Sequence, residues 1–282
     1  MSLVLTRSLA WLLVLPLAGA LVGVDSRLSV AASPRPAPVR FVADDYGFTG
    51  PDHIPAGLTS IQVVNRGQDL HHVQLLKLLQ GKTAGEFQAA LKANPGRMPS
   101  WIQFVGGPNA AEPGGEAVAT MDLGEGEYLL ICLIPNRAGV PHLALGMQKT
   151  LSVKGADSAP QAAPQAAVTI TQADFQFTLS KPVASGSHTI RVMNHGTQPH
   201  EAVLVKLTPG VSAKEFAVVA ESGSAPPPGQ FMGGVVGLET GGQAYFTAQF
   251  EPGHYGLICF FPDPATGKPH LAQGMVTDFT VD

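Results

Sequence analysis

The feature that most constrains this chain is that it carries one pattern twice. At an offset of 129 residues, Asp45, Asn65, Gly67, His71, Lys77, Leu78, Glu86 and Phe87 recur as Asp174, Asn194, Gly196, His200, Lys206, Leu207, Glu215 and Phe216. At an offset of 127, Gln103, Phe104, Gly106, Gly107, Gly114, Gly115, Tyr128, Ile131, Cys132 and Pro135 recur as Gln230, Phe231, Gly233, Gly234, Gly241, Gly242, Tyr255, Ile258, Cys259 and Pro262. At 128, Pro141, His142, Leu143, Ala144, Gly146 and Met147 recur as Pro269, His270, Leu271, Ala272, Gly274 and Met275. A drift this small over such a span means two homologous units in tandem, residues 39–154 and 168–282. The segment 155–167 between them, rich in Ala, Pro and Gln, reads as a linker.

Each unit is predicted to be all-β. With 32 Gly and 24 Pro in 282 residues and only 13% charged side chains, the chain has turn punctuation in excess and too few charges for long amphipathic helices. Short apolar runs of strand length, such as Thr59 to Asn65, Val73 to Leu78, Ala117 to Leu123 and Tyr128 to Ile134, are separated by Gly pairs and Pro-Gly turns. The pattern predicts two tandem Greek-key β-sandwiches. One stretch per unit departs from it: Thr83 to Ala93 and Ser212 to Glu221 carry helical spacing. Thr83 and Ser212 each stand three residues before a Glu, as in a capping box. A short inserted helix is therefore expected in each sandwich.

Charge and the N-terminus narrow the classes further. A net charge of −4 without any basic cluster argues against a nucleic-acid partner. Arg7 followed by the apolar run Leu9 to Val24 reads as an export signal within residues 1–32, either a cleaved signal peptide or an uncleaved N-terminal anchor. Beyond that segment no membrane association is expected, and the chain is placed outside the cytoplasm: periplasmic, secreted or held at the cell envelope. Such compartments are oxidising, so two cysteines in so long a chain need a reason. A disulfide between them would require equivalent positions of two separate sandwiches to meet within bonding distance, which is not expected.

The residues around each Cys supply the reason. In each unit a His lies about sixty residues upstream, and a His and a Met follow in the loop beyond: His71, Cys132, His142, Met147, and His200, Cys259, His270, Met275. Two imidazoles, a thiolate and a weak axial thioether form the set that suits a mononuclear copper centre exchanging electrons. His72 is a local rival to His71, but the repeat aligns His72 with Glu201 and so favours His71. His53, His188, His195 and His254 have no counterpart in the other unit and read as surface residues. The Gly pairs are followed by neither a Lys-Ser pair nor a helix start and read as turns, and no Ser-His-Asp or paired-carboxylate pattern repeats.

The segments Tyr128-Leu-Leu-Ile-Cys132 with Pro141-His142 and Gly146-Met147, and Tyr255-Gly-Leu-Ile-Cys259 with Pro269-His270 and Gly274-Met275, resemble the copper loop of the cupredoxin (blue, type 1 copper) family. The resemblance covers both units. It implies two copper ions, one on His71, Cys132, His142 and Met147 and one on His200, Cys259, His270 and Met275. It also implies outer-sphere electron transfer with a redox partner protein through the loop histidines, which Pro141, Leu143, Pro269 and Leu271 surround with apolar surface. Two departures qualify it. His72 and Glu201 stand where small cupredoxins often carry an Asn that ties the loop down. The Cys-to-His spacing is that of longer, multidomain copper proteins. In copper oxidases and nitrite reductases a His beside the Cys bridges to a catalytic copper. Here the flanks are Ile131 and Leu133, and Ile258 and Phe260, which argues against an enzyme. The competing expectations are a copper carrier or storage protein, and a cupredoxin-like scaffold that has lost metal in one or both units.

Overall fold

The apolar runs become strands in the order that the repeat requires. A computed structural model describes residues 37–155, 161–223 and 225–282. The expected export segment, 1–32, and residues 156–160 of the linker lie outside them. The first half contains β1 (Val39–Asp44), β2 (Gly47–Thr49), β3 (His53–Ile54), β4 (Gly57–Asn65), β5 (Gln74–Leu78), α1 (Ala84–Ala93), β6 (Ile102–Phe104), β7 (Glu116–Leu123), β8 (Gly126–Ile131) and β9 (Gln148–Val153). The second half contains β10 (Val168–Ala173), β11 (Gln176–Leu179), β12 (Gly186–Asn194), β13 (His200–Leu207), α2 (Ala213–Ser222), β14 (Gly229–Leu238), β15 (Gln243–Phe250), β16 (Gly253–Ile258) and β17 (Val276–Val281).

Each half is a β-sandwich with one sheet of its own. These are β3-β9-β8-β5-β6 in the first half and β14-β13-β16-β17 in the second. The other layer is common property: a single eight-stranded sheet runs β11-β10-β12-β15-β7-β4-β1-β2 through both halves. It is joined where β15 meets β7 antiparallel, Tyr245 opposite Thr120 and Phe246 opposite Ala119. Ala119 and Phe246 are themselves repeat equivalents, 127 apart, and so are Pro108 and Val235, which form a second bridge between the halves. Positions facing their own equivalents lie beside an approximate twofold axis. The hydrogen bonds agree: Asn109 N donates to Gly234 O (3.3 Å) and its counterpart Val236 N donates to Gly107 O (3.1 Å).

The two helices start at the expected residues. Thr83 and Ser212 are the N-caps, each accepting from the backbone of Glu86 or Glu215 while that Glu returns a bond to the cap backbone. Phe87 and Phe216 are the fully buried anchors. Most core side chains of both halves, from Phe41, Ile61 and Leu75 to Val192, Phe250 and Leu257, form one contiguous apolar cluster, with a smaller one beneath α2. One expectation needs correction. The strand read as Tyr128 to Ile134 ends at Ile131, so Cys132, and likewise Cys259, stands one residue beyond its strand. The reason lies further along the chain: from the Cys onward the backbone bonds go to the loop that ends at Met147 or Met275.

Candidate metal centre

The loop after each Cys closes on itself through the same set of backbone bonds. Cys132 N donates to Met147 O (3.3 Å), Leu143 N returns to Cys132 O (2.8 Å), and Met147 N donates to His142 O (3.0 Å). In the second half Cys259 N donates to Met275 O (3.1 Å), Leu271 N to Cys259 O (2.9 Å) and Met275 N to His270 O (3.0 Å). A single 3-10 turn, His142–Leu145 or His270–Gln273, ends on Gly146 (φ 100°) or Gly274 (φ 106°). That left-handed conformation favours Gly and turns the chain back so that Met follows His into the core. The extra residue of the second loop is absorbed between the bridged pair Pro262 and Pro269, where Asp263 gathers the amides of Ala265 and Thr266.

Three donors from distant parts of the chain meet in each half. His71 Nδ1 lies 3.9 Å and His142 Nδ1 3.5 Å from Cys132 Sγ. In the second half His270 Nδ1 is 3.4 Å from Cys259 Sγ, and His200 Nδ1 is 2.9 Å from His270 Nδ1. All three donor atoms of each group lie within 4.8 Å of one another, and all six residues are fully buried. Both cysteines are free, so the disulfide reading falls away. Met147 and Met275 are fully buried beside their Cys, held by the backbone bonds just described.

Burial sets the protonation of these groups. Desolvation holds His71 and His270 down to about 4, with the neighbouring imidazole adding to the effect, and lowers His142 and His200 as well. The rings are thus neutral near pH 7, with lone pairs available. Desolvation pushes the Cys132 thiol up to about 12 and the Cys259 thiol well above its ordinary value, where the Glu201 carboxylate adds to it. Backbone N–H groups oppose this, from His72 and Ile134 at Cys132 and from Glu201 and Phe261 at Cys259. Such a sulfur releases its proton to solvent when a metal cation takes the proton's place on it.

Around the donors lie residues whose roles the sequence pattern did not disclose. Asn65 and Asn194 tie down the turn before the upstream His: each donates to two carbonyls, Asp69 O and Ala111 O or Gln198 O and Leu238 O, and accepts from Gly67 N or Gly196 N. Asp174 Oδ1 pairs with His200 Nε2 at 3.0 Å, and the equivalent Asp45 accepts from Gln68 N. The outer nitrogens of the loop histidines face Asp69 (3.7 Å from His142) and Gln198 (3.2 Å from His270), so one half offers an anion where the other offers a neutral amide. Tyr46 and Phe175, at positive φ in the β1-β2 and β10-β11 turns, set their rings edge-on against His142 and His270, centroids 5.3 Å apart in both. The repeat match of Asp45, Asn65 and Gly67 was the available signal for most of this.

His72 does not join the donors. Its Nε2 accepts from Leu133 N (2.9 Å), just as Glu201 Oε1 accepts from Phe260 N (2.9 Å), so both tie down the residue after the Cys. Of the histidines read as surface residues, His53, His195 and His254 are exposed and His188 is half-buried against Phe250.

No protein-family model matches the sequence, and no curated protein matches it. Among solved structures the chain is similar to auracyanin B, with 20% identity over 43% of this chain and 93% of that one and a TM-score of 0.31. It is also similar to the dithionite-reduced auracyanin of the photosynthetic bacterium Roseiflexus castenholzii, with 25% identity over 40% and 94% and a TM-score of 0.29. A multicopper oxidase shares 13% identity over 86% of this chain and 88% of its own, with a TM-score of 0.23.

Proposed function

We propose that this cupredoxin-like chain binds one copper ion in each half and serves outside the cytoplasm as a carrier of single electrons, without a reaction of its own. The donor chemistry and spacing fit the ion. A first-row metal held at about 2.0 Å from nitrogen and about 2.3 Å from sulfur sets its donors roughly 3.3 to 3.8 Å apart. The observed Sγ to Nδ1 separations of 3.4 and 3.5 Å fall within that range, the 3.9 Å separation at His71 lies just above it, and the close His200–His270 pair needs to open by a few tenths of an ångström. His71, Cys132 and His142, and His200, Cys259 and His270, would hold the two ions, with Met147 and Met275 as axial sulfurs. When bound, copper supplies a one-electron couple that thiolate and imidazole support in both oxidation states.

The rest is the work of the polypeptide. The surrounding sandwich fixes the donors, so little rearrangement accompanies the change of charge. Burial excludes water and small chelators, which favours electron carriage over copper delivery. Three of the large apolar side chains most exposed among the described residues, Tyr46, Val140 and Leu145, belong to the turn and loop that cover the first centre. An apolar rim above a loop histidine suits brief docking of a redox protein. Neither Cys is flanked by a His that could lead to a catalytic copper.

The single observation that carries this reading is the convergence of a buried thiol and two neutral imidazoles, twice, from segments about sixty residues apart. Metal analysis, visible absorption and paramagnetic resonance on the purified protein test it, repeated for Cys132→Ser and Cys259→Ser. The expected result is two coppers with an intense thiolate charge-transfer band, and loss of one copper and its share of the band with each substitution. Protein that stays colourless after cupric loading overturns the proposal. Rapid surrender of copper to a chelator would favour the carrier reading instead.

A further inference from the structure

Asn109 is a buried polar residue that neither copper site uses. It stands beside the approximate twofold axis, where one side chain can reach equivalent residues of both halves. Its Nδ2 donates to Glu201 Oε2 at 3.3 Å and to Val235 O at 3.3 Å, and its Oδ1 accepts from Ala110 N at 2.8 Å. Its side chain also faces His72 and acts on that ring electrostatically. With Nε2 of His72 accepting from Leu133 N, the neutral ring has Nδ1–H left to donate. His72 and Glu201 are repeat equivalents, and each receives the backbone N–H of the residue following a Cys.

The contacts therefore line up between the two sulfurs, through Cys132, Leu133 N–H, His72, Asn109, Glu201, Phe260 N–H and Cys259, with the Asn109 amide facing His72 on one side and bonded to Glu201 on the other. Every member but Leu133 and Phe260, which contribute only backbone, is buried. The position equivalent to Asn109 is Val236, so one amide serves both halves and the path is not duplicated.

Resting on the two-copper reading, we infer that Asn109, through His72 and Glu201, couples the two metal centres electronically. The path lets an electron accepted in one half pass within the molecule to the other. With copper held by His71, Cys132 and His142 and by His200, Cys259 and His270, one electron would leave the reduced centre and arrive at the oxidised one, so that oxidation and reduction balance. The transfer would need no change of donor residue and no movement of a proton between residues. Asn109 is a positioning residue: it belongs to neither donor set and acts by standing between the two contacts, facing His72 and bonded to Glu201.

The test uses the two-copper protein with Met147→Leu as background, since a changed axial ligand separates the two potentials. A pulse of a one-electron radical reductant, below one equivalent, is followed optically. A redistribution between the two bands whose rate does not depend on protein concentration is expected. Asn109→Leu and the less bulky Asn109→Ala should slow it at least tenfold while both bands and both potentials persist. Phe104→Leu, which loosens the Phe104–Phe261 contact across the same interface, should leave it within twofold. In the metal-free protein, either Asn109 variant should speed amide hydrogen exchange at Leu133 and Phe260 together. Absence of a concentration-independent phase overturns the inference, and so does an unchanged rate in both Asn109 variants. A protein that never develops thiolate colour overturns the copper reading instead, a result visible before any kinetics.

Discussion

At each centre a glycine decides how closely the upstream His and its acidic neighbour can approach. A Cβ on Gly67 would lie 2.6 Å from His71 Nε2 and 2.6 Å from Asp45 Oδ1; on Gly196 the distances are 2.6 Å from His200 Nε2 and 2.5 Å from Asp174 Oδ1. No rotamer change in the alanine can relieve this. Gly67→Ala is expected to displace His71 and weaken copper at the first site at least tenfold, with the second site unchanged, as followed by cupric titration of the thiolate bands. The buried thiols make a second prediction. Below a thiol pKa of about 12 at Cys132, and above 6.5, the ordinary value from which burial lowers both His71 and His142, the donor set carries one proton that the ion must displace. Affinity at the first site should therefore rise about tenfold per pH unit between roughly pH 7 and 9. Calorimetry in buffers of different ionisation heat should find about one proton released per ion.

The helices show how local chemistry becomes an element. Both begin where a Thr or Ser accepts from the third residue of the helix and a Glu answers, and both Glu carboxyls are held below their ordinary value, Glu86 by its bonds to Lys82 and Thr83 and Glu215 by its bonds to Ser212. Thr83→Ala and Ser212→Ala should each cost about 1 kcal/mol, read as a lower urea midpoint with copper binding intact. The ligand loops illustrate the converse. Their strands stop at Ile131 and Ile258 because Cys132 and Cys259 exchange backbone bonds with Leu143 and Met147, or Leu271 and Met275. Those bonds join residues ten or more apart, which no short window of sequence encodes.

At the scale of the whole molecule, the shared sheet and the Asn109 contacts bury a carboxylate between the halves. Desolvation raises Glu201 to about 7 from an ordinary value of 4.5. A carboxyl whose folded pKa is raised favours folding while protonated. The contribution is present below pH 4.5, falls as pH rises toward 7 and is flat above. The span is worth up to about 3 kcal/mol. His72 pulls the other way, since desolvation lowers it to about 3 and its neutral form is favoured as pH rises to 6.5. The Glu201 effect is therefore read as a difference. The unfolding free energy of metal-free Glu201→Gln relative to the unsubstituted protein should shift in the variant's favour by up to about 3 kcal/mol between pH 4.5 and 7. A difference that stays constant over that range would show that Glu201 is not desolvated.

Much of this protein was legible in its sequence because the informative features are either local or written twice. Helix caps, strand-length runs and the spacing of Cys132, His142 and Met147 are short-range patterns, and the repeat singled out His71 over His72 without coordinates. What only the tertiary structure decided depends on which surfaces meet. The eight-stranded sheet exists because β7 pairs with its own equivalent, and Asn109 meets both Glu201 and His72 because all three fall beside the axis that this pairing creates. Asn109 aligns with Val236, so the repeat conceals it. Asp69 and Gln198 acquire meaning only when the folded loop histidine turns its outer nitrogen toward them. Local pattern fixes what a residue offers; the company in which it offers it is a property of packing between segments far apart along the chain.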